Sequence, residues 1–259
     1  MLFLRSLLFN IAFYVATAIC LLLPLPVYFI LPQGFAMWVV RTWARVVLWL
    51  LKVIVGLTYE VRGRDNVPSG TFLIASKHQS AWETFALVPL FPDATFVIKS
   101  QLKWIPIWGQ YTIKAGMIHV DRKAGTRALR TITERAREEL ARGRQIVIFP
   151  EGTRRAPGAP PDYQGGVAHL YRALAIPVLP VALNSGLYWP RRKFLRYPGT
   201  IIVEYLPPIP PGMTSRAFLD QLTGTIESAS DRLLLEASCT APVPALSPEA
   251  SARISALSP

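Results

Sequence analysis

The sequence predicts an α/β fold: a mostly parallel central sheet flanked by helices, preceded by an N-terminal membrane-associated helical segment. Three observations predict it. From residue 71 onward, short β-branched runs alternate with helical periodicities, the pattern of strand–helix–strand units and a parallel sheet. Between Arg5 and Arg41 there is no charged residue at all. The chain has 259 residues, 51% of them hydrophobic, enough to bury a substantial core.

In chain order, residues 6–23 form an apolar run near the ~20 residues that a bilayer core requires. Pro24, Pro26 and Pro32 interrupt it. Residues 35–57 form a second apolar segment that carries Trp38, Trp43 and Trp49. At helical spacing its cations Arg41, Arg45 and Lys52 fall within roughly 40° of one another. A basic stripe beside tryptophans suits the lipid headgroup level. A cleaved signal peptide fits poorly, since Arg5 alone precedes the run and no A-x-A pattern follows. The cations Arg41, Arg45, Lys52, Arg62 and Arg64 follow the run, which places the remainder on the cytoplasmic side. One spanning helix and a two-helix hairpin in one leaflet both fit.

Strands are predicted at Thr71–Ser76, Thr95–Lys99, Met117–Val120, Gln145–Phe149, Val178–Leu183 and Thr200–Leu206. Leu129, Ile132, Ala136 and Leu140 share one face of a helix over Thr126–Arg142, with Gly143 as its stop. Gly165–Leu174 is a second helix. Phe218, Leu222, Ile226 and Leu233 mark a closing amphipathic helix over Thr214–Leu235. The last twenty residues are dominated by Ala, Pro and Ser, the composition of a disordered tail. The organisation is therefore residues 1–57 as a membrane-associated helical segment, 58–238 as the α/β domain and 239–259 as the tail.

Charge and composition narrow the chemistry. With 28 Lys plus Arg against 16 Asp plus Glu, the net charge of +12 points to an anionic partner: nucleic acid, an anionic lipid surface or a phosphorylated substrate. Nucleic acid would leave the most apolar region unexplained. The only cysteines, Cys20 and Cys239, exclude a disulfide scaffold, and no metal-ligand spacing occurs. Serine-hydrolase elbow, Walker loop, dinucleotide fingerprint and zinc-protease motifs are all missing.

Three clusters carry chemistry. His78 follows the strand ending at Ser76, where open α/β sheets build their sites. Glu83 lies in the first turn of the next helix, where a carboxylate can fix one imidazole nitrogen and free the other to take a proton. Ser80 and Glu83 also form a capping box, so Glu83 has a purely structural alternative. The second cluster, Phe149-Pro150-Glu151-Gly152-Thr153-Arg154, directly follows a strand; an arginine beside exposed amides suits phosphate. The third, Gly116 to Arg122, delivers Arg122 to a strand end. His119 and His169 read as packed histidines. Trp189–Tyr197 mixes cations with aromatics and reads as a surface loop near headgroups.

In order and spacing, these blocks resemble the glycerolipid acyltransferases, specifically the bacterial lysophosphatidate acyltransferases. His78 and Glu83 match an H-x4-D block, with Glu in place of Asp. Gly116, Ile118 and Arg122 match a G-x-I-x-x-x-R block. Phe149 to Arg154 match F-P-E-G-T-R in full, and Val178-Leu179-Pro180-Val181-Ala182 match an apolar strand around a proline. The resemblance covers about residues 60–210. It implies acyl transfer from a thioester, acyl-CoA or acyl-carrier protein, to the free hydroxyl of lysophosphatidate, with no cofactor and no metal. It implies His78 as base with Glu83 beside it, and Arg122 and Arg154 on the acceptor phosphate. Glu151, Gly152 and Thr153 would shape the acceptor site, with Lys99 and Lys103 as further cations. The expected setting is the cytoplasmic side of the inner membrane, with the bilayer as partner and no nucleic acid. Glycerol 3-phosphate, a lyso-phospholipid or a lyso-aminolipid remains open as acceptor, and so does a hydrolase in which His78 activates water.

Overall fold

The computed structural model describes residues 1–91, 93–121, 124–244 and 246–258. Among these, seven strands form one sheet in the order β1-β7-β6-β2-β5-β3-β4. The strands are β1 (Leu57–Arg62), β2 (Leu73–Ser76), β3 (Ala94–Lys99), β4 (Ile118–Val120), β5 (Gln145–Ile148), β6 (Val178–Leu183) and β7 (Gly199–Tyr205). All neighbouring pairs are parallel except β6 and β7. β2, β5 and β6 are buried at every position, which is why they read as unbroken apolar runs rather than alternations.

Successive side chains of these strands feed two cores, one on each sheet face. Ile74, Val147, Leu179 and Val181 belong to one, with α1 (Leu2–Leu22) and α3 (Gln33–Leu50) supplying Phe9, Ala44, Val47 and Leu48. Leu73, Ala75, Ile146 and Val178 belong to the other. There they pack on α6 (Gly125–Ala141), α7 (Gly165–Leu174) and α9 (Ser215–Cys239), the last capped by Thr214. The N-terminal helices thus share a core with the sheet. Between them lies the short α2 (Leu25–Tyr28), whose Tyr28 ring stacks on Tyr111 of α5 (Trp108–Lys114) at 3.7 Å. After α3 the helix widens into a π turn, Leu51–Val55, and stops at Gly56, whose φ of 78° is left-handed.

The structure departs from expectation at three places. The tail expected to be disordered contains α10 (Pro248–Leu257), with Ser247 as N-cap and Pro248 in the first turn. Ala250 is fully buried, and Arg253 pairs with Asp231 of α9, so the segment gains enough contact to offset its ordering entropy. β1 is an additional edge strand, paired with β7 from Leu57 to Arg62. Its alternation of Leu57, Tyr59 and Val61 with Thr58, Glu60 and Arg62 follows helix so closely that the strand start is obscured. Finally, the basic, Trp-bearing stripe is split. Trp38 and Trp49 are exposed, but Trp43 packs on Phe85 and Arg41 turns to Asp93 at 3.4 Å.

Candidate active site

β2, β5, β6 and β3 are parallel, so their C-terminal ends lie along one edge of the sheet. His78, Glu151–Arg154 and Ser185 follow β2, β5 and β6 at this edge, and Lys99 is the last residue of β3. Residues scattered over more than a hundred positions therefore converge where such sheets hold ligands.

After β2 the chain turns at His78 and enters the one-turn α4 (Glu83–Ala86). Glu83 is fully buried. Its Oε1 lies 2.9 Å from His78 Nδ1 and accepts backbone N–H bonds from Gln79 at 2.8 Å and Ser80 at 2.6 Å. Its Oε2 accepts from Ser185 Oγ at 2.7 Å; Ser185 belongs to α8 (Ser185–Tyr188). The histidine-partner and capping readings are thus both realised by one carboxylate. Because a carboxylate only accepts, Nδ1 carries the proton, and in the neutral imidazole Nε2 then keeps its lone pair. The imidazole also stacks on Phe149, with ring centroids 4.1 Å apart.

The Phe149–Arg155 segment wraps the same loop. Arg155 donates its backbone N–H to the His78 carbonyl at 2.8 Å. Gly152 has φ 66°, a left-handed turn that turns the chain back toward Arg154. Glu151 does not contact the acceptor side as expected. It is 1% exposed, its Oε1 paired with Lys77 Nζ at 2.8 Å and its Oε2 accepting the His78 backbone N–H at 3.0 Å. It therefore holds the His78 loop from behind. Lys77 Nζ also meets Glu227 Oε1 of α9 at 2.6 Å, and Tyr163 donates to that same oxygen at 2.8 Å. Burial pushes the Glu151 carboxyl up, while Lys77 and the His78 amide pull it back.

A cavity of about 530 Å³ opens at this edge. His78, Gly152, Thr153, Arg154 and Lys99 are among its polar lining residues, and Leu21, Val40, Trp43, Tyr111 and Met117 among those with large apolar or aromatic surfaces. Burial lowers the Arg154 pKa, with the Glu83 charge opposing. Lys103 is exposed, rests over the Trp104 ring at 5.1 Å and is not part of this lining. Arg122 lies outside the described residues. His119 and His169 are occupied elsewhere, by Thr112 at 3.0 Å and Thr133 at 3.1 Å. Sequence reasoning missed Ser185, Lys77 and Glu227. Position directly after β6, at the edge that already carries His78, was a signal for Ser185; Glu227 sits on an ordinary helical face and gave none.

Fold and site define an α/β protein with a carboxylate-held histidine in the lining of a large cavity of mixed polar and apolar character. Residues 58–184 match the family model described as Acyltransferase. The chain is 40% identical over 165 residues to the 1-acyl-sn-glycerol-3-phosphate acyltransferase of Pseudomonas aeruginosa, covering 64% of each chain. It is 30% identical over 169 residues to human 1-acyl-sn-glycerol-3-phosphate acyltransferase alpha, covering 64% of this chain and 60% of that one. A solved structure, the 1-acyl-sn-glycerophosphate (LPA) acyltransferase PlsC of Thermotoga maritima, superposes with a TM-score of 0.73 at 22% identity, over 90% of this chain and 98% of that one, and shares the fold. Residues 58–184 thus carry an acyltransferase domain, and the matches span just under two thirds of the length of these sequence relatives.

Proposed function

We propose that the chain is a 1-acylglycerol-3-phosphate O-acyltransferase, transferring a fatty acyl group from acyl-CoA or acyl-carrier protein to lysophosphatidate and so making phosphatidate. The observation that carries this reading is His78, held by Glu83 at 2.9 Å, in the lining of a cavity that also offers cations and a set of apolar side chains. A hydroxyl nucleophile needs a base, whereas a thioester is already activated and needs no enzyme-bound intermediate. Nε2 of His78 takes the proton as the acceptor oxygen attacks the thioester carbonyl. The tetrahedral intermediate collapses with cleavage of the C–S bond, and the imidazolium returns its proton to the departing sulfur. Base catalysis of this type contributes roughly 10²–10⁴-fold. Arg154, with Lys99 and Arg122, supplies cations for the acceptor phosphate, and the apolar side chains of the lining take an acyl chain. Glu151 acts by position, holding His78 through its backbone.

The setting we propose is the cytoplasmic face of the inner membrane. α1 is long and apolar enough to cross a bilayer, with a mean hydropathy of 1.7, yet it touches the domain along its whole length. Phe3 meets Phe194, Phe9 and Phe13 meet Trp189, Thr17 accepts from Trp43, and Leu21 accepts from Tyr111. Leu4, Leu8, Ile11, Val15, Ile19 and Leu22 are exposed, a helical stripe on the opposite face. One face on protein and one apolar face outward supports a helix lying in one leaflet. Purified protein, labelled acyl donor and lysophosphatidate test the reading. Acceptor-dependent phosphatidate that disappears in His78→Ala supports it; release of free fatty acid alone makes the protein a hydrolase.

A further inference from the structure

Beyond the residues already discussed, the cavity lining has two more cations, Arg191 and Arg192. They lie outside the matched residues 58–184. Both side chains are exposed, and among the described residues no carboxylate is within ion-pair distance of Arg154, Arg191 or Arg192. Arg191 Nη1 donates to the Arg154 carbonyl at 2.7 Å, so the two segments are joined. Burial, opposed by Glu83, and then the charge of Arg191 set the Arg154 pKa below its ordinary value. Arg191 and Arg154 repel one another, Arg192 lines the same cavity, and an anion placed there relieves the unbalanced positive charge.

The loop that presents them is built rather than loose. Its centre is Arg196, 8% exposed, whose Nη1 donates to the carbonyls of Lys193, Phe194 and Leu195 at 2.6, 2.9 and 3.0 Å. Its guanidinium lies over the Trp189 ring at 4.3 Å. The backbone N–H of Arg196 donates to Ser6 Oγ of α1 at 3.0 Å. Arg192 is held at φ 59°, a left-handed conformation uncommon for a residue with a Cβ and maintained only where its surroundings impose it. The mixture of cations and aromatics in Trp189–Tyr197 thus divides: Arg196 organises the loop from inside, and Arg191 and Arg192 face the cavity.

We propose that Arg191 and Arg192, together with Arg154, form a phosphate-binding subsite that takes the phosphorylated end of a substrate, as a phosphate monoester or pyrophosphate. The assignment of that anion to a substrate rests on the acyl-transfer reading above; the subsite itself rests on the three guanidiniums. Forked donors suit phosphate oxygens better than single ammonium charges do. The phosphate can come from a lipid acceptor or from the nucleotide end of a donor.

Two probes separate the sources: glycerol 3-phosphate for the acceptor and adenosine 3′,5′-bisphosphate for the donor. Each is titrated calorimetrically into the full-length protein in detergent. The variants are Arg191→Gln/Arg192→Gln and, as a control for charge alone, Lys193→Gln on the same loop. The wild type is expected to bind at least one probe saturably. The double variant should bind it at least about tenfold more weakly, with the control within about twofold of wild type. Weakening for glycerol 3-phosphate assigns the subsite to the acceptor; weakening for the bisphosphate assigns it to the donor. A double variant that binds as wild type does, a control that weakens equally, or a wild type that binds neither probe overturns the proposal. Phosphatidate synthesis by the wild type is measured in parallel. If it proceeds while the double variant binds normally, the subsite falls and the acyl-transfer reading stands; if binding behaves as expected but no transfer occurs, the reverse holds.

Discussion

Glu83→Gln isolates charge from structure. Glu83 Oε1 accepts from His78 Nδ1, Gln79 N and Ser80 N, all of which a glutamine oxygen can still receive. The new amide faces Ser185 Oγ, which reverses from donor to acceptor. The hydrogen-bond count and shape are kept, and the variant should melt within a few degrees of wild type. What disappears is the negative charge beside the imidazolium formed when His78 takes a proton. At 2.9 Å and an effective dielectric of about 20, that attraction is about 6 kcal/mol. His78 is 12% exposed, and three other donors share the carboxylate, so about 3–5 kcal/mol is a fairer figure. The expected fall in kcat is therefore about 10²–10⁴-fold. Glu83→Asp keeps the charge on a shorter arm, and should recover part of the rate at some cost in melting temperature. The assay is steady-state acyl transfer to lysophosphatidate, with thermal melts alongside. A folded Glu83→Gln protein with a wild-type rate would leave His78 without an electrostatic partner and refute the reasoning.

Arg154→Ala should raise the acceptor KM by about tenfold or more while the donor KM changes little, since charge-assisted bonds of this kind contribute about 1.5–3 kcal/mol; a rise confined to the donor moves Arg154 to the other substrate. Lys77→Met leaves the buried Glu151 and the half-buried Glu227 facing each other without their cation, at a cost of about 3–5 kcal/mol. The Glu151 carboxyl is already raised by burial, so its protonated form favours the folded state and that contribution is lost as pH rises; the melting deficit of Lys77→Met should shrink on acidification. Deleting residues 1–57 removes the fully buried Phe9, Val47, Leu51 and Val55 from the core beneath the sheet. The product should aggregate, and a soluble, active, monodisperse truncation would contradict this packing. Ending the chain at residue 244 removes Ala250 and the Arg253–Asp231 pair and should lower stability by about 1–3 kcal/mol, read by denaturant unfolding.

Much of the central sheet was legible because its signals are local. β6 and α7 coincide with the predicted Val178–Leu183 and Gly165–Leu174, where continuous burial or a clean apolar face leaves one periodicity to follow. His78 and Glu83 were legible because strand end, turn and helix start are adjacent in sequence. Ser185, Lys77 and Glu227 were not, since their partners lie 102, 74 and 150 residues away and only the sheet order brings them together. The tail was misread through composition, although Ser247-Pro248-Glu249 is a good helix start: a capping hydroxyl, a proline in the first turn and an acid near the positive dipole end. Glu151 was misplaced for the opposite reason. Its motif is conspicuous, but the direction of its side chain depends on Lys77, whose burial no local pattern reveals.

The clamp between Ser6 and Arg196 spans 190 residues of chain, and this sets an order of events during synthesis. At ribosomal speeds of about 5–20 residues per second, α1 leaves the exit tunnel roughly 10–40 s before Arg196 does. Throughout that interval its inward face, Phe9 included, has none of its native partners from residues 189–196. In the membrane setting proposed above, α1 reaches the bilayer before residues 189–196 emerge, and the α/β domain folds against a helix already resting there.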